Sequence, residues 1–502
     1  MPKKLKTALS IADKGGSKGQ QTKFAYNALV STDRRRPLQT RPSTEGFILT
    51  PTKRDNASAT VRDDKRNMTI LAWMVRRHLD NVARFTPHIQ FLGDDTPEKR
   101  ALIQKIQQLL HWHGLRKNFD ALGRHGRDEF MRMFEGCKVI DGDCGALKVK
   151  GGLLQGIEGD RIRKVEVPNV TTQPADSGII FNADGTRKQF CVCKRGVQGN
   201  GFEFEKLVDV ENMIFDGYWP ERYDSDRGVS PLLTALNEAA DVRETWEWHL
   251  MKVKAAGIFG FAFTRNNPDV YPTTAPASGS YMDTVSQSLK AKGMVNLDLE
   301  PGDDVKEIEA KSPNPNVMPF TREIIRSFLL ALDIPFTFYD SLTASFSARI
   351  ADRNEYEEAC EWKRDKNIGV LAEIYGDWII PMWYEADQFG LRTMMDSMKL
   401  SVEEVSSFLS WVPAGRPWLD RTNEMSGHIL AIASGIESVP EVCAMYGKDA
   451  YKVNREQAQY LDNARAPLLY ANGGQMAVQA LMDTFGKNKK ADDSATQPEE
   501  GV

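Results

Sequence analysis

The sequence has few cysteines and no long apolar run. Six cysteines among 502 residues are too few and too scattered for a disulfide framework, so a reducing environment is the simpler expectation. No segment approaches the ~18 consecutive apolar residues that a membrane-spanning helix needs. The basic start lacks an apolar core of signal-peptide length. We therefore expect neither secretion nor a membrane partner.

Motifs of nucleotide motors and common hydrolases are also missing. The chain has no G-x-x-x-x-G-K-[ST] phosphate loop, no G-x-S-x-G elbow and no H-E-x-x-H zinc motif. Its seven histidines include no pairing of a nucleophile with a base. We expect no catalytic site, no cofactor and no metal.

Three local patterns resemble metal sites, and we favour a structural role for each. They are Asp141-Gly-Asp143 with Asp160, His111-Trp-His113, and Cys191-Val-Cys193. An Asp-Gly pair between strands is usually a turn. The two imidazoles diverge at a helix end, and the two thiols have no second pair nearby.

Charge is close to balanced over the chain and uneven along it. The formal net charge is −4 and the pI is near 6.1, which excludes a surface that grips nucleic acid all round. Contact with DNA along a small surface stays open. Residues 1–60 are basic and poor in apolar side chains, so they form either a flexible arm or an arm that orders on a neighbouring chain or DNA. Residues 486–502 have no large apolar side chain and are expected to be disordered.

The next part of the chain predicts an α+β unit. Apolar spacing predicts helices over about Arg66–Arg84, Pro97–Leu110 and Gly126–Gly136. Short β-favouring runs separated by Asp-Gly and Gly-Gly turns follow, from Cys137–Asp141 to Asn212–Gly217.

A long helix should begin at Ser230, as its cap, with Pro231 in the first turn. One narrow apolar seam runs along it: Leu232, Leu236, Ala239, Trp246, Leu250 and Val253. Such a seam is typical of a helix that packs against copies of itself or a long partner. The alternative is a solitary amphipathic helix on a core.

The second half alternates strands and helices. Short strands are expected between residues 257 and 311, and a helix over Met318–Leu332 that Asp333-Ile334-Pro335 ends. We expect no helical order between Phe336 and Ser345. A further long helix should run from about Ser347 to Ile380 and end at Pro381, with helical pieces after it.

Four segments in this order resemble the lambda-like portal proteins of tailed bacteriophages. They are Asn212–Leu236 with its R-G-V-S turn, Met294–Asn316, Phe328–Trp362 and Trp411–Asp449. Asp333 stands where the family has glycine, Phe346-Ser-Ala-Arg replaces Tyr-Ser-Ser-Ala-Arg, and Asp420 is followed by arginine instead of proline.

The resemblance implies a portal fold assembled as a ring, with an α/β wing, stem helices, a small β-containing clip and a helical crown. In order, the implied parts are an arm (1–60), the wing (61–229), the first stem helix (230–256), the clip (257–312), the second stem helix (313–333), a tunnel loop (334–346), a long wing helix (347–400), the crown (401–485) and a tail (486–502).

The resemblance also implies a function. Portal subunits form a homododecameric channel through which double-stranded DNA is packaged and later ejected. The implied partners are the terminase large subunit, the major capsid protein and scaffold, and the head–tail adaptor. The implied location is a unique capsid vertex of the virion, and the host cytoplasm during assembly.

The tunnel-loop residues implied in this way are Phe338, Tyr339, Ser341, Thr343 and Ser345. The hydroxyl residues offer phosphates small neutral contacts, whereas the aromatic residues are expected to anchor the loop in the wing. A DNA-acting enzyme such as a metal-dependent nuclease, or a non-portal connector or scaffold protein, is the alternative interpretation.

Overall fold

The protein combines helices with small sheets. A computed structural model describes residues 44–89, 96–168, 170, 172–196, 201–219, 222–223, 225–256, 260–264, 295–299, 317–342, 344–415 and 420–468. For residues 252–253, 255–256, 260–264, 295–299, 317–318 and 460–468 only the backbone is described. This architecture confirms the α+β prediction at the level of a mixed fold.

Sixteen α-helices are assigned within the described ranges. They are α1 (Glu45–Ile48), α2 (Pro51–Asn67), α3 (Thr69–Val82), α4 (Pro97–His113), α5 (Arg116–Phe119), α6 (Arg127–Asp141), α7 (Leu236–Ala256), α8 (Val317–Leu329), α9 (Phe336–Tyr339), α10 (Phe346–Ala372), α11 (Ile380–Glu385), α12 (Leu391–Ser397), α13 (Val402–Ser407), α14 (Arg421–Ala433), α15 (Val439–Met445) and α16 (Ala450–Leu468). Short 3₁₀ turns lead into α7 (Pro231–Ala235) and out of α8 (Leu330–Leu332), and a π-helical segment, Glu373–Ile379, joins α10 to α11. None of the helices in the described residues is long and apolar enough to cross a lipid bilayer.

The strands form small, mostly antiparallel sheets. They are β1 (Phe85–Ile89), β2 (Asp143–Val149), β3 (Leu153–Glu158), β4 (Ile179–Phe181), β5 (Arg187–Arg195), β6 (Phe202–Asp209), β7 (Met213–Gly217), β8 (Gly260–Thr264), β9 (Val295–Leu299) and β10 (Leu409–Pro413). Two three-stranded sheets have the orders β3-β2-β7 and β4-β5-β6, β1 pairs with β10, and β8 pairs with β9 in parallel.

Two large hydrophobic clusters lie on either side of α6. The first joins α4 and α6 to the π segment and α11 around Phe130, Tyr375 and Trp383. The second packs α3 against the first turns of the α7 region, against α8 and against α10, around Met74 and Phe328. The second cluster therefore fixes the bases of both long helices, α7 and α8, on the α+β part.

The expectation of a flexible arm over residues 1–60 is wrong for residues 44–60. Helix α2 begins at Pro51 and buries Ser58 and Val61. Its Arg62 guanidinium contacts the Asp141 and Asp160 carboxylates at 2.6 and 2.7 Å. These ion pairs attach α2 to the α+β part, since α2 itself buries little apolar surface. Residues 1–43 lie outside the described residues.

The predicted boundary at residue 401 divides a single core. Strand β10 pairs with β1, with Trp411 opposite Pro87. The side chains of Val405 and Trp411 are buried in the first cluster together with Tyr375. Residues 401–413 therefore belong to the α+β part, because their partners lie in the first half of the chain, where local sequence patterns do not reveal them.

Three local predictions were also wrong. Cys137–Asp141 continues α6 and is not a strand, because its side chains complete the buried face of that helix. Pro381 does not end the long helix: after the wider π turns it lies in the first turn of α11, where its missing N–H costs no hydrogen bond. Residues Phe336–Tyr339 form one helical turn instead of irregular backbone.

Candidate functional site

The R-G-V-S turn attaches the first long helix to the sheet. Arg227 is buried, and its Nε and Nη2 donate to the two oxygens of Asp143 at 2.7 Å each. Its remaining N–H groups donate to backbone carbonyls, including Gly159 at 2.7 Å and Ile162 at 2.5 Å. The guanidinium fork therefore has partners on every side, which a lysine could not supply.

The glycine and serine of the same turn complete the attachment. A side chain at Gly228 would meet the carbonyl oxygen of Gly142 at 2.1 Å, so only glycine fits there. Ser230 Oγ donates to the carbonyl of Val139 at 2.6 Å and accepts from the N–H of Leu232. The predicted Ser230 cap is confirmed. The turn thus fixes where the α7 region leaves the sheet.

The first half of α7 packs into the core and the second half extends from it. Leu232 and Ala239 are buried in the second cluster, and Leu236 packs against its edge. Trp246 and Leu250 are 41% and 52% exposed, and the side chain of Val253 lies outside the described ones. The seam is therefore covered along half its length only.

The exposed half also has apolar side chains off that seam. Trp248 and Met251 are 70% and 57% exposed. On α8, which packs beside α7, Ile325, Phe328 and Leu329 are buried, whereas Phe320 is 62% exposed near the helix start. The two helices thus present apolar side chains to solvent at the same end.

The loop after α8 is fastened to the α+β part by its aromatic residues. Phe338 stacks edge-on against Tyr356 of α10, with ring centroids 5.2 Å apart. Tyr339 contacts Trp73 of α3 in the same manner at 6.1 Å. Ser341 and Ser345 are exposed, and Ser345 Oγ accepts from the N–H of Ala348 as the cap of α10. Thr343 lies outside the described residues.

Asp333 holds the backbone that opens this loop. It has a φ of 59°, in the left-handed region where the lambda-like portals have glycine. Its carboxylate contacts the ammonium of Lys363 at 2.5 Å, and the Lys363 side chain is buried. The departure from glycine is therefore accompanied by an ion pair from the loop to α10.

The residues whose sequence patterns resemble metal sites make structural contacts in the fold. Asp141 and Asp160 do come together, but Arg62 lies between them, and Asp143 is occupied by Arg227. Within the described ranges, no group of three or more His, Cys, Asp or Glu side chains is placed to hold a metal ion. Cys191 and Cys193 lie on β5 and are buried together in a small apolar cluster with Val167.

The two neighbouring histidines diverge as predicted. His111 is exposed, whereas His113 is buried, with Nδ1 3.0 Å from the Tyr375 hydroxyl and Nε2 2.8 Å from the carbonyl of Gly152. Burial, reinforced by the nearby charge of Arg127, lowers the pKa of His113 to about 4. The ring is therefore neutral at pH 7 and belongs to the core.

A comparison with protein families decides the assignment. The model described as "Phage portal protein, lambda family" matches residues 35–363. The chain belongs to the lambda family of phage portal proteins. The match covers the R-G-V-S turn, both long helices and the loop after α8, so these parts belong to a portal subunit of a tailed phage. No curated protein matches the chain.

Solved structures of gene transfer agent particles also show similarity to this portal subunit. A chain of the neck of the native particle, computed with C12 symmetry, is 14% identical and has a TM-score of 0.42; the match covers 78% of this chain and 93% of that chain. A chain of the native virion is 13% identical over 80% and 99%, with a TM-score of 0.39. A chain of the empty neck, computed with C6 symmetry, is 14% identical over 78% and 93%, with a TM-score of 0.39.

Sequence reasoning missed several contacts of this site. It did not identify Arg54, whose Nη1 donates to the carbonyl of Gly228 at 2.6 Å, because the arginine precedes its partner by 174 residues. Val242, buried at the α7 base, lies between two positions of the proposed seam. A helical wheel of α7 would have found it, since Val242 follows Ala239 by three residues.

Proposed function

We propose that this portal protein assembles as a dodecameric ring around a channel for double-stranded DNA, through which the genome is packaged and later ejected. The observation that supports this proposal is the apolar surface exposed at one end of α7 and α8, in a chain that belongs to the portal family. An isolated subunit would leave Trp248, Leu250 and Phe320 in water. A closed ring covers such surfaces with a neighbouring copy.

We assign the parts of the ring by the resemblance to the lambda-like portals. The sheets with α2–α6, together with α10–α13 and β10, would be the wing, and α7 and α8 the two stem helices. The clip would contain the β8–β9 pair, and residues 334–346 would be the tunnel loop. Helices α14–α16 would form the crown.

The charge of the chain supports a channel through which DNA slides. A strongly basic bore would bind the duplex through its phosphates and slow its movement. With a net charge of −4 per copy, the ring holds DNA by no net attraction. Ser341 and Ser345 would then be small neutral groups near the duplex, and the role of the protein is mechanical and not enzymatic.

The remaining partners are those of a portal vertex. The clip end would bind the terminase large subunit during packaging and the head–tail adaptor afterwards. The wing and crown would contact the major capsid protein and the scaffold. The protein would be present in the host cytoplasm during assembly and at one vertex of the virion.

Variants of the exposed stem surface test the assembly. Replacing Trp248 and Met251 by Glu should abolish assembly, because it puts charge into the interface between copies, while the circular-dichroism spectrum stays unchanged. Sedimentation velocity over a range of concentrations measures the mass. Glu211→Lys, an exposed charge change outside α7 and α8, is the control and should assemble normally. Ring-sized particles of the double Glu variant would contradict the proposed interface.

A further inference from the structure

A cleft beside the π-helical segment has two carboxylates and two glycines in its lining. It has a volume of about 490 Å³ and is lined by Gly369, Gly376, Glu373, Asp377, Ser406 and Trp411. Around Gly369 nothing lies within 4 Å of the position a Cβ would take. Chain segments can therefore approach the backbone closely there.

The π turns give the cleft its shape. A π segment places residues off the regular α-helical positions and is frequent at functional sites. In this protein the carbonyl oxygen of Gly376, within the π segment, accepts a hydrogen bond from Ser406 Oγ at 3.3 Å, and both residues line the cleft. Asp377 is exposed and has no ion pair in the described part of the chain, and Glu373 contacts Lys148 at 3.3 Å.

A buried donor in the cleft wall lacks a partner. Trp411 is 4% exposed, and its Nε1–H group makes no hydrogen bond within the described residues. A buried N–H without an acceptor costs free energy, which a bound carbonyl or other acceptor would recover. Trp411 lines the same cleft as the carboxylates of Glu373 and Asp377.

The acidic character continues along α10. Glu355, Glu358, Glu361 and Asp365 are exposed and recur at helical spacing, and Asp365 lies one turn before Gly369. None of the four has an ion pair among the described residues. This stripe repels DNA and attracts a segment of opposite charge.

The chain itself contains such a segment. Residues 1–43 include six lysines and four arginines against two aspartates, with a run at Arg34-Arg35-Arg36 followed by Pro37. Proline favours an extended backbone at the residue before it, which presents side chains and carbonyls to a cleft. Arginine forks match carboxylates in pairs.

We propose that the cleft at Glu373, Asp377 and Trp411 is the docking site for the Arg34–Arg36 segment of this chain. The guanidinium groups pair with the two carboxylates, and a backbone carbonyl of the segment accepts from Trp411 Nε1. The acidic stripe of α10 guides the rest of the basic segment. This docking depends on charge and geometry and does not require that the chain assembles as a ring.

Photo-crosslinking of the full chain tests this docking. A p-benzoylphenylalanine placed at position 372, in the cleft wall, keeps both carboxylates; crosslinked peptides are then identified by mass spectrometry. We expect crosslinks to residues 30–41. Replacing Arg34, Arg35 and Arg36 by Glu should lower the yield by at least about tenfold, because the charge-assisted contacts are lost and the new carboxylates are repelled by the cleft. The control that replaces Lys3, Lys4 and Lys6 by Glu should leave it unchanged.

Mixing ¹⁴N- and ¹⁵N-labelled chains identifies the copy that donates the segment. Crosslinks between unlike labels place it in a neighbouring copy, whereas like labels alone place it in the same copy; both support the docking. Crosslinks elsewhere in the chain, crosslinks to added DNA in place of the segment, or a yield that the Arg34–Arg36 change leaves unaltered would overturn the proposal. A circular-dichroism spectrum like that of the unmodified chain confirms that each variant folds.

Discussion

Arg227 shows how one residue of a short motif can carry a long-range role. Its guanidinium, in the turn that leads into the α7 region, joins the Asp143 carboxylate of β2 to three backbone carbonyls of the sheet part, those of residues 159, 162 and 177. The R-G-V-S motif was identifiable in the sequence, but the role of its arginine was not, because Asp143 precedes it by 84 residues. The sequence pattern suggested that Asp141 and Asp160 lie close together, but it did not reveal Arg62, which pairs with both carboxylates.

Arg227→Lys should destabilise the fold substantially. Lysine keeps the charge but loses the fork, so several buried acceptors lose their donors, and breaking a buried pair costs about 3–5 kcal/mol. Differential scanning calorimetry should show a clear fall in the melting temperature. Arg195→Lys is the matched control: its ion pairs are half exposed, and such pairs contribute about 0–1 kcal/mol. Equal small effects in both variants would refute the role of Arg227.

His113 predicts a dependence of stability on pH. Its pKa is lowered to about 4 in the folded chain, so the folded state favours the neutral ring. The stability it contributes is present above the unfolded pKa of about 6.5 and is lost as the pH falls from there towards 4, a loss of about 3 kcal/mol.

Denaturant unfolding at a series of pH values measures this loss. His113→Asn should flatten the profile between about pH 6.5 and 4, because the titrating group is gone. His111→Asn, an exposed change two residues away, should leave the profile as in the natural chain. A profile unchanged by His113→Asn would show that another group is responsible.

At the scale of elements, the loop after α8 has two fixed ends and an exposed middle. Besides the Asp333–Lys363 pair, Thr337 Oγ1 donates to Asp352 at 2.7 Å, and Arg322 pairs with Asp340 at 3.0 Å. Ser345 caps the next helix. The proline, the serine cap and the two flanking helices were predictable from local patterns. The helical turn at Phe336–Tyr339 was not, because contacts with α3 and α10 stabilise it.

Positive charge in the loop should slow DNA. Replacing Ser341 and Thr343 by Arg adds two charges per copy near the proposed bore, so packaging should slow while rings stay intact, and higher ionic strength should relieve the defect. The amount of DNA packaged with time, at low and high salt, measures this. The control places Arg at Gln108 and Asn212, two exposed positions elsewhere. Packaging at the natural rate in low salt would show that the loop does not face the duplex.

At the scale of the molecule, element types were more predictable than boundaries. Helical spacing and turn signals identified most helices and the strands of the central sheets. The pairing of β1 with β10 escaped notice, because it joins residues more than 300 positions apart. The division at residue 401 failed for this reason. Likewise, the apolar seam of α7 was visible in the sequence. The residue at which α7 extends beyond the core was not, because the elements packed around its first half determine it.

The number of copies in the assembled particle is the sharpest test of the proposed ring. Negative-stain electron microscopy of the concentrated protein, or of protein co-expressed with capsid components, counts the copies around the ring. We expect rings of about twelve copies with an open centre, since closed rotational symmetry covers the exposed stem surface of every copy. A protein that stays monomeric at every concentration, and shows no ring in particles, would contradict it.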